Sequence, residues 1–269
     1  MPVARRLPNF ELLLDDLAIR LRCLTPASAS QARAYQFFGM GNEPQMVALF
    51  REVQVWWFSN DLTQLDSLSR RFMINELLQR KPSDASITSL ALFGVIPFPE
   101  LSLGDIERMQ AWFDADSRIP RSTRDALVLR VLTTWFARNP PEILKTRLQA
   151  WIVSTVPNLV RAALVLSVGL VHQSVTSHYA AVFEILDTMP DLLNFNDREI
   201  DLAAGWLLSK MWPVEPNMVQ KWLAVHGAAL TRRSFRIAVA RMPSNIRQEV
   251  ADTWKLCRLG RGDEYIRSE

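Results

Sequence analysis

Apolar residues recur at three- and four-residue spacing along most of the chain. The segments FELLLDDLAIRLR, PQMVALFREVQVWWF, SRRFMINELLQR, SLGDIERMQAWF, TRDALVLRVLTTWFA, PEILKTRLQAWIV, VRAALVLSVGLV, SHYAAVFEILDTM, REIDLAAGWLLSKM, NMVQKWLAVHG and RRSFRIAVARM all carry the pattern. Such spacing collects apolar side chains on one face of an α-helix. No stretch alternates with period two for long enough to require a strand. Fifteen prolines punctuate the boundaries between these segments against only nine glycines, which suits short, stiff helix connections. An all-α chain is the expectation.

The helical segments also repeat. Trp112, Trp151 and Trp222 each end an amphipathic segment, and an arginine (Arg121, Arg161, Arg232) follows within ten residues to open the next. The separation of Trp112 and Trp151 is 39 residues, and the gap from Trp151 to Trp222 holds one more unit, with Phe183 in the aromatic place and Arg198 as its arginine. Helix pairs at this period predict a HEAT-like α-solenoid, a curved superhelix of antiparallel pairs with outer helices closed by an aromatic and inner helices lining a concave face. Residues 1–269 are read as a single solenoid domain. Divergent N-terminal hairpins occupy 1–100, regular repeats 101–245, and a C-terminal helix and tail 246–269. SLALFGVIPFPELSLG reads as a hydrophobic insertion, and Trp56 with Trp57 as packing between hairpins.

Composition narrows the class. With 49% hydrophobic and 22% charged residues, the chain has the balance of a soluble globular protein with a sizeable core. The apolar run from Ala162 to Val171 is half a membrane span, and the acids inside FELLLDDLAIRLR argue against a signal peptide. A cytoplasmic monomer without membrane contact is expected. Cys23 and Cys257 lie far apart with no Cys-His cluster, so neither a disulfide framework nor a metal site is indicated, and no cofactor is expected. His172, His178 and His226 are scattered at segment edges and are assigned no chemistry.

Charge matters only if it is clustered, because 31 basic residues face 28 acidic ones for a net +3. The repeat supplies the clustering. Arg121 with Arg124, Arg161, Arg198, and Arg232 with Arg233 would form rungs along stacked inner helices. A cation at a helix start is mildly unfavourable, by a few tenths of a kcal/mol or more. A penalty repeated in every unit points to a compensating anion, and a row of such sites matches the backbone of duplex DNA. The opposing reading pairs these arginines locally, Arg121 with Asp125 or Arg198 with Asp197 and Glu199. Asp125 has two readings of its own: STRD fits a capping box with Ser122 as N-cap, and the same carboxylate at a helix start can face a basic groove.

The stretch RSTRDALVLRVLTTWFARNPPEILKTRLQAWIVSTVPNLVRAALVLSV, then DLAAGWLLSK, then ALTRRSFRIAVARMP, and more weakly QARAYQFFGMGNEP, resemble the HEAT-like-repeat DNA alkylation-repair glycosylases of bacteria. The likeness is best from about 118 to 243. It implies that Asp125 is the catalytic carboxylate, that Arg161 contacts DNA near the lesion, and that Trp206 is one of the aromatics framing it. The implied reaction is hydrolysis of the N-glycosidic bond of N3- or N7-alkylated purines in double-stranded DNA, with the protein nucleoid-associated when bound. Two positions depart from the family: Arg121 and Asn158 stand where it has aromatic walls, each worth about 0.5 to 2 kcal/mol against a cationic base or sugar. The residues that would read the lesion's size are therefore those that differ. Two alternatives stay open, a glycosylase-like DNA binder without catalysis and a HEAT-like protein-interaction scaffold.

Overall fold

The computed structural model describes residues 10–23, 44–79, 101–113, 121–193 and 197–260. Among these there is no strand, and the fold is an all-α helical repeat. QARAYQFFGMGNEP up to Glu43, most of the expected hydrophobic insertion, and the tail after Gly260 lie outside the described residues. The chain divides into two compact units, Met1–Trp135 and Phe136–Glu269, a boundary that falls within the stretch read as regular repeats.

In the first unit, α1 (Phe10–Cys23) packs on α2 (Pro44–Ser59). Trp56 and Trp57 are both buried, and the Trp56 Nε1–H donates to Asp16 Oδ2 at 3.1 Å, tying the two helices together. After a left-handed residue at Asp61 and a 3-10 turn, α3 (Ser67–Gln79) packs against α4 (Leu103–Gln110). The helix α4 begins with a complete capping box: Ser102 Oγ accepts from the Asp105 amide, and the Asp105 carboxylate accepts from the Ser102 amide. Next comes α5, a compound helix that is α-helical over Arg121–Leu127, π-helical over Val128–Leu132 and α-helical again over Thr133–Phe136. Its Trp135 Nε1–H donates to the Leu101 carbonyl at 2.9 Å, anchoring it beside the start of α4.

The second unit has two layers. Its outer helices are α6 (Pro141–Ile152), α8 (Tyr179–Leu193) and α10 (Pro216–His226); its inner helices are α7 (Pro157–His172), α9 (Arg198–Met211) and α11 (Arg232–Ala238). Helix α7 packs along α9 and α9 along α11, while α6 packs on α8, and α12 (Ser244–Gly260) closes on α10. Proline occupies the first position of α6, α7 and α10, where its missing N–H would have had no helical partner. The Ala162–Val171 run is the centre of α7, buried on every side, which is why it is apolar all round. No helix among the described residues is long and apolar enough to cross a membrane.

Two details of the repeat differ from the sequence reading. Pro157 begins α7, so Arg161 lies a turn inside it and is buried; it does not open the helix. Phe183 lies near the start of α8 against Tyr179 and does not close the helix, because the aliphatic Leu186, Met189 and Leu192 line its buried face there.

One proline lies inside a helix. Pro190 of α8 has no N–H to give the Leu186 carbonyl four residues earlier. The Trp222 Nε1–H of α10 donates to that carbonyl at 2.9 Å, in a buried bond between neighbouring outer helices. Trp222→Phe is therefore expected to cost about 1–3 kcal/mol, because it leaves a buried acceptor unsatisfied. In a Pro190→Ala background the new amide serves the same carbonyl, and the cost of Trp222→Phe shrinks. Urea unfolding of the four-member cycle measures the difference; an unchanged cost would refute the account.

Candidate functional site

The first group of site residues stands at the start of α5. Asp125 is only 4% exposed, with Arg121 and Arg124 half-buried in the turn before it. The helix opens at Arg121, one residue ahead of the Ser122 cap read from STRD. The π segment starts three residues after Asp125 and has a visible cause. Both the backbone N–H and the hydroxyl of Thr133 go to the Val128 carbonyl, the hydroxyl at 2.9 Å, and the Thr134 hydroxyl takes the Arg130 carbonyl at 2.9 Å. Threonine hydroxyls that compete for helix carbonyls loosen the i to i−4 ladder, and π turns of this kind recur at functional sites. The adjacent threonines of VLTTW supply both of these hydroxyls.

The second group lies along the inner layer of the second unit. Arg161 Nη1 donates to the Glu199 carbonyl at 2.6 Å and stands 3.5 Å from the Glu199 carboxylate, joining α7 to the first turn of α9. Asp197 caps α9, accepting from the amides of Glu199 at 2.7 Å and Ile200 at 3.1 Å. The two acids flanking Arg198 are thus engaged elsewhere. Arg198, at the first position of α9, is exposed and forms no ion pair or hydrogen bond among the described residues.

The step from α9 to α11 follows the same plan with an acid. Asp201 accepts from the Thr231 amide at 3.1 Å and from the Thr231 hydroxyl, while Thr231 caps α11 by accepting from the Ser234 amide at 3.2 Å. Burial pushes the Asp201 carboxyl up from its ordinary value, and the hydrogen bonds from Thr231 and Ser234 only partly oppose it. One turn on, Gly205 lets the Ser234 backbone approach so closely that a Cβ at 205 would meet the Ser234 carbonyl oxygen at 2.4 Å.

These contacts run from start to start, so α7, α9 and α11 lie parallel with their N-terminal ends adjacent. Arg198 and Arg232 open α9 and α11, Arg232 being exposed and, like Arg198, without an ion pair among the described residues; Arg233 is half-buried. Trp206 is half-buried beside Gly205, and Asn158 is half-buried in the first turn of α7. Asp125, Arg121 and Arg124 belong to the first unit, and Arg161, Arg198, Trp206, Arg232 and Arg233 to the second. His178 is buried and bonds through Nε2 to the Asn139 carbonyl at 3.1 Å, a structural role. Among the described residues no cluster of His, Cys, Asp and Glu is arranged to hold a metal ion. Sequence reasoning missed Asp201 and Gly205 and gave Glu199 to Arg198, because the partners of all three are 29 or more residues away.

An all-α helical repeat in which the parallel inner helices α9 and α11 each start with an exposed arginine presents charge from successive helix pairs. The sequence pattern of the family described as DNA alkylation repair enzyme matches residues 51–242, and the chain belongs to that family. No curated protein and no solved structure matches the chain.

Proposed function

We propose that the protein is a DNA glycosylase that hydrolyses the N-glycosidic bond of N3- or N7-alkylated purines in duplex DNA, on a HEAT-like solenoid scaffold. The observation that carries the DNA-binding part is the state of Arg198 and Arg232. Adjacent parallel helices each begin with an exposed arginine, while the acids closest to Arg198 in sequence are engaged in capping and in the Arg161 bridge. Charges left in that state are compensated by phosphates of a polyanion. Arg233 adds to the same binding, Arg161 acts through Glu199 to fix the start of α9, and Arg121 with Arg124 are phosphate contacts of the first unit taken by itself. Trp206 offers an aromatic surface to the alkylated base.

Asp125 carries the chemistry. An alkylated purine is cationic, so the bond from C1′ to the ring nitrogen breaks with both electrons going to the base, which leaves neutral without a general acid. The sugar develops oxocarbenium character, which the Asp125 carboxylate stabilises, and water then adds at C1′ and loses a proton. Membership of a DNA alkylation repair family supports this reading.

The test is release of 7-methylguanine or 3-methyladenine from methylated duplex DNA. Wild type is expected to release base, and Asp125→Asn to release it about a hundredfold more slowly with DNA affinity retained. No release by either protein overturns catalysis. A second reading, a glycosylase-like DNA binder, draws on the near-complete burial of Asp125 and on the arginine and asparagine at 121 and 158. Binding is tested separately. Arg198→Ala with Arg232→Ala should flatten the slope of log K against log salt by about two. An unchanged slope favours a protein-interaction scaffold, with acidic partners for these arginines.

A further inference from the structure

The opposite ends of the same inner helices gather charge that the reading above does not use. His172 is the last residue of α7, Lys210 is next to last in α9, and Arg241 follows α11 in the turn before Pro243. Because α7, α9 and α11 pack in parallel, the three side chains belong to adjacent ends of one layer. Lys210 is only 8% exposed, and among the described residues it makes no hydrogen bond and no ion pair. Its carbon stem is what is buried, and the ammonium reaches solvent at the same end of the layer as the exposed His172 and Arg241.

Here the neighbouring charges have the same sign. Burial, then Arg241, hold the Lys210 ammonium below its ordinary value; burial, then Lys210 and Arg241, do the same to the His172 imidazole. The C-terminal ends of α7 and α9 offer partial compensation, about half a negative charge each. Against two permanent cations and one titratable one, positive charge remains. A compact ammonium and a forked guanidinium on adjacent elements match a multiply charged oxyanion better than a single carboxylate.

We infer that His172, Lys210 and Arg241 form a binding site for a phosphate group at the C-terminal end of the inner layer. The site shares no residue with the group around Asp125 or with the arginines at the helix starts. Its ligand is either free phosphate or a phosphate of nucleic acid, and the chemistry of recognition is the same for both.

Histidine NMR tests it, with His178 and His226 as internal controls. In phosphate-free buffer His172 should titrate below the ordinary imidazole value. Saturating inorganic phosphate should move its midpoint upward relative to chloride at equal ionic strength, leaving the controls in place. Lys210→Met should abolish that shift and weaken phosphate binding on the order of tenfold by calorimetry, and Lys210→Arg should restore both. A short unmodified duplex separates the sources. If it also moves His172 upward and binds Lys210→Met more weakly, the phosphate belongs to DNA; if only inorganic phosphate acts, the site takes free phosphate. No movement of wild-type His172 with either ligand overturns the inference. Because the wild-type titration needs no variant and base release is not its readout, it stands or falls independently of glycosylase activity.

Discussion

Gly205→Ala is expected to destabilise the second unit by about 3 kcal/mol or more. Helix propensity alone predicts the reverse, since alanine is better than glycine inside a helix by about 1 kcal/mol. The contact with α11 decides the sign. A Cβ at 205 would stand 2.4 Å from both the carbonyl oxygen and the hydroxyl of Ser234, and the carbonyl is backbone that cannot rotate away. The helices must separate, at a typical overpacking cost of about 1–3 kcal/mol. Separation also stretches the Ser234 hydroxyl's bond to the Asp201 carbonyl, worth about 1 kcal/mol more. Ser234→Gly removes the hydroxyl but not the carbonyl, so it should rescue the variant only in part. Chemical denaturation reads both effects, and a Gly205→Ala protein as stable as wild type would sink the close-approach argument.

Asp105→Ala is expected to cost the first unit about 3 kcal/mol. The Asp105 side chain is 1% exposed and accepts five hydrogen bonds: two from Arg71, one from Arg108 at 2.8 Å, and two from Ser102, through its amide and hydroxyl, at 2.8 Å. Removing it undoes the capping box of α4, worth about 1 kcal/mol, and the link from α3. The loss is below the usual 3–5 kcal/mol limit of a broken buried pair because the stranded arginines are 35% and 41% exposed and water can reach them.

The same geometry fixes a pH dependence. Burial acts to raise the Asp105 carboxyl, but the bonds from Arg71, Arg108 and Ser102 outweigh it and hold the group well below the usual carboxylate range. The folded state therefore binds its proton less readily than the unfolded one. The stabilisation is complete above the unfolded value near 3.8 and is lost as pH falls below it. Asp201 has the opposite sign: its raised value favours the protonated folded state, so its contribution fades as pH rises above the same unfolded value. Stability measured from pH 5 down to pH 2 should fall less steeply in Asp105→Ala than in wild type.

The helices were legible because each is amphipathic and most boundaries carry a proline, and the unit length was legible because tryptophans recur near the ends of α6 and α10. Positions within a unit were harder to read. The arginine pattern placed Arg161 at a helix start, whereas Pro157 takes that position and draws the arginine inside. Ser102 and Asp105 form the S-x-x-D signature of a capping box and were readable from sequence in principle. Arg71 completing that cluster from 34 residues away was not. The catalytic assignment of Asp125 came from resemblance, and the π turn beside it depends on where two hydroxyls find carbonyls, which spacing alone does not specify.

The side chains that brace the start of an inner helix come from the inner helix before it in the chain. Arg161 of α7 holds the start of α9, and Asp201 of α9 holds the cap of α11. In the other direction α9 keeps its own Asp197 cap whether or not α11 is folded. Local opening is therefore polar: melting α9 releases the Asp201 brace on the Thr231 cap of α11, while melting α11 leaves the Asp197 cap of α9 untouched. The second unit has a direction of unravelling, with its amide protection ordered from α11 inward to α7.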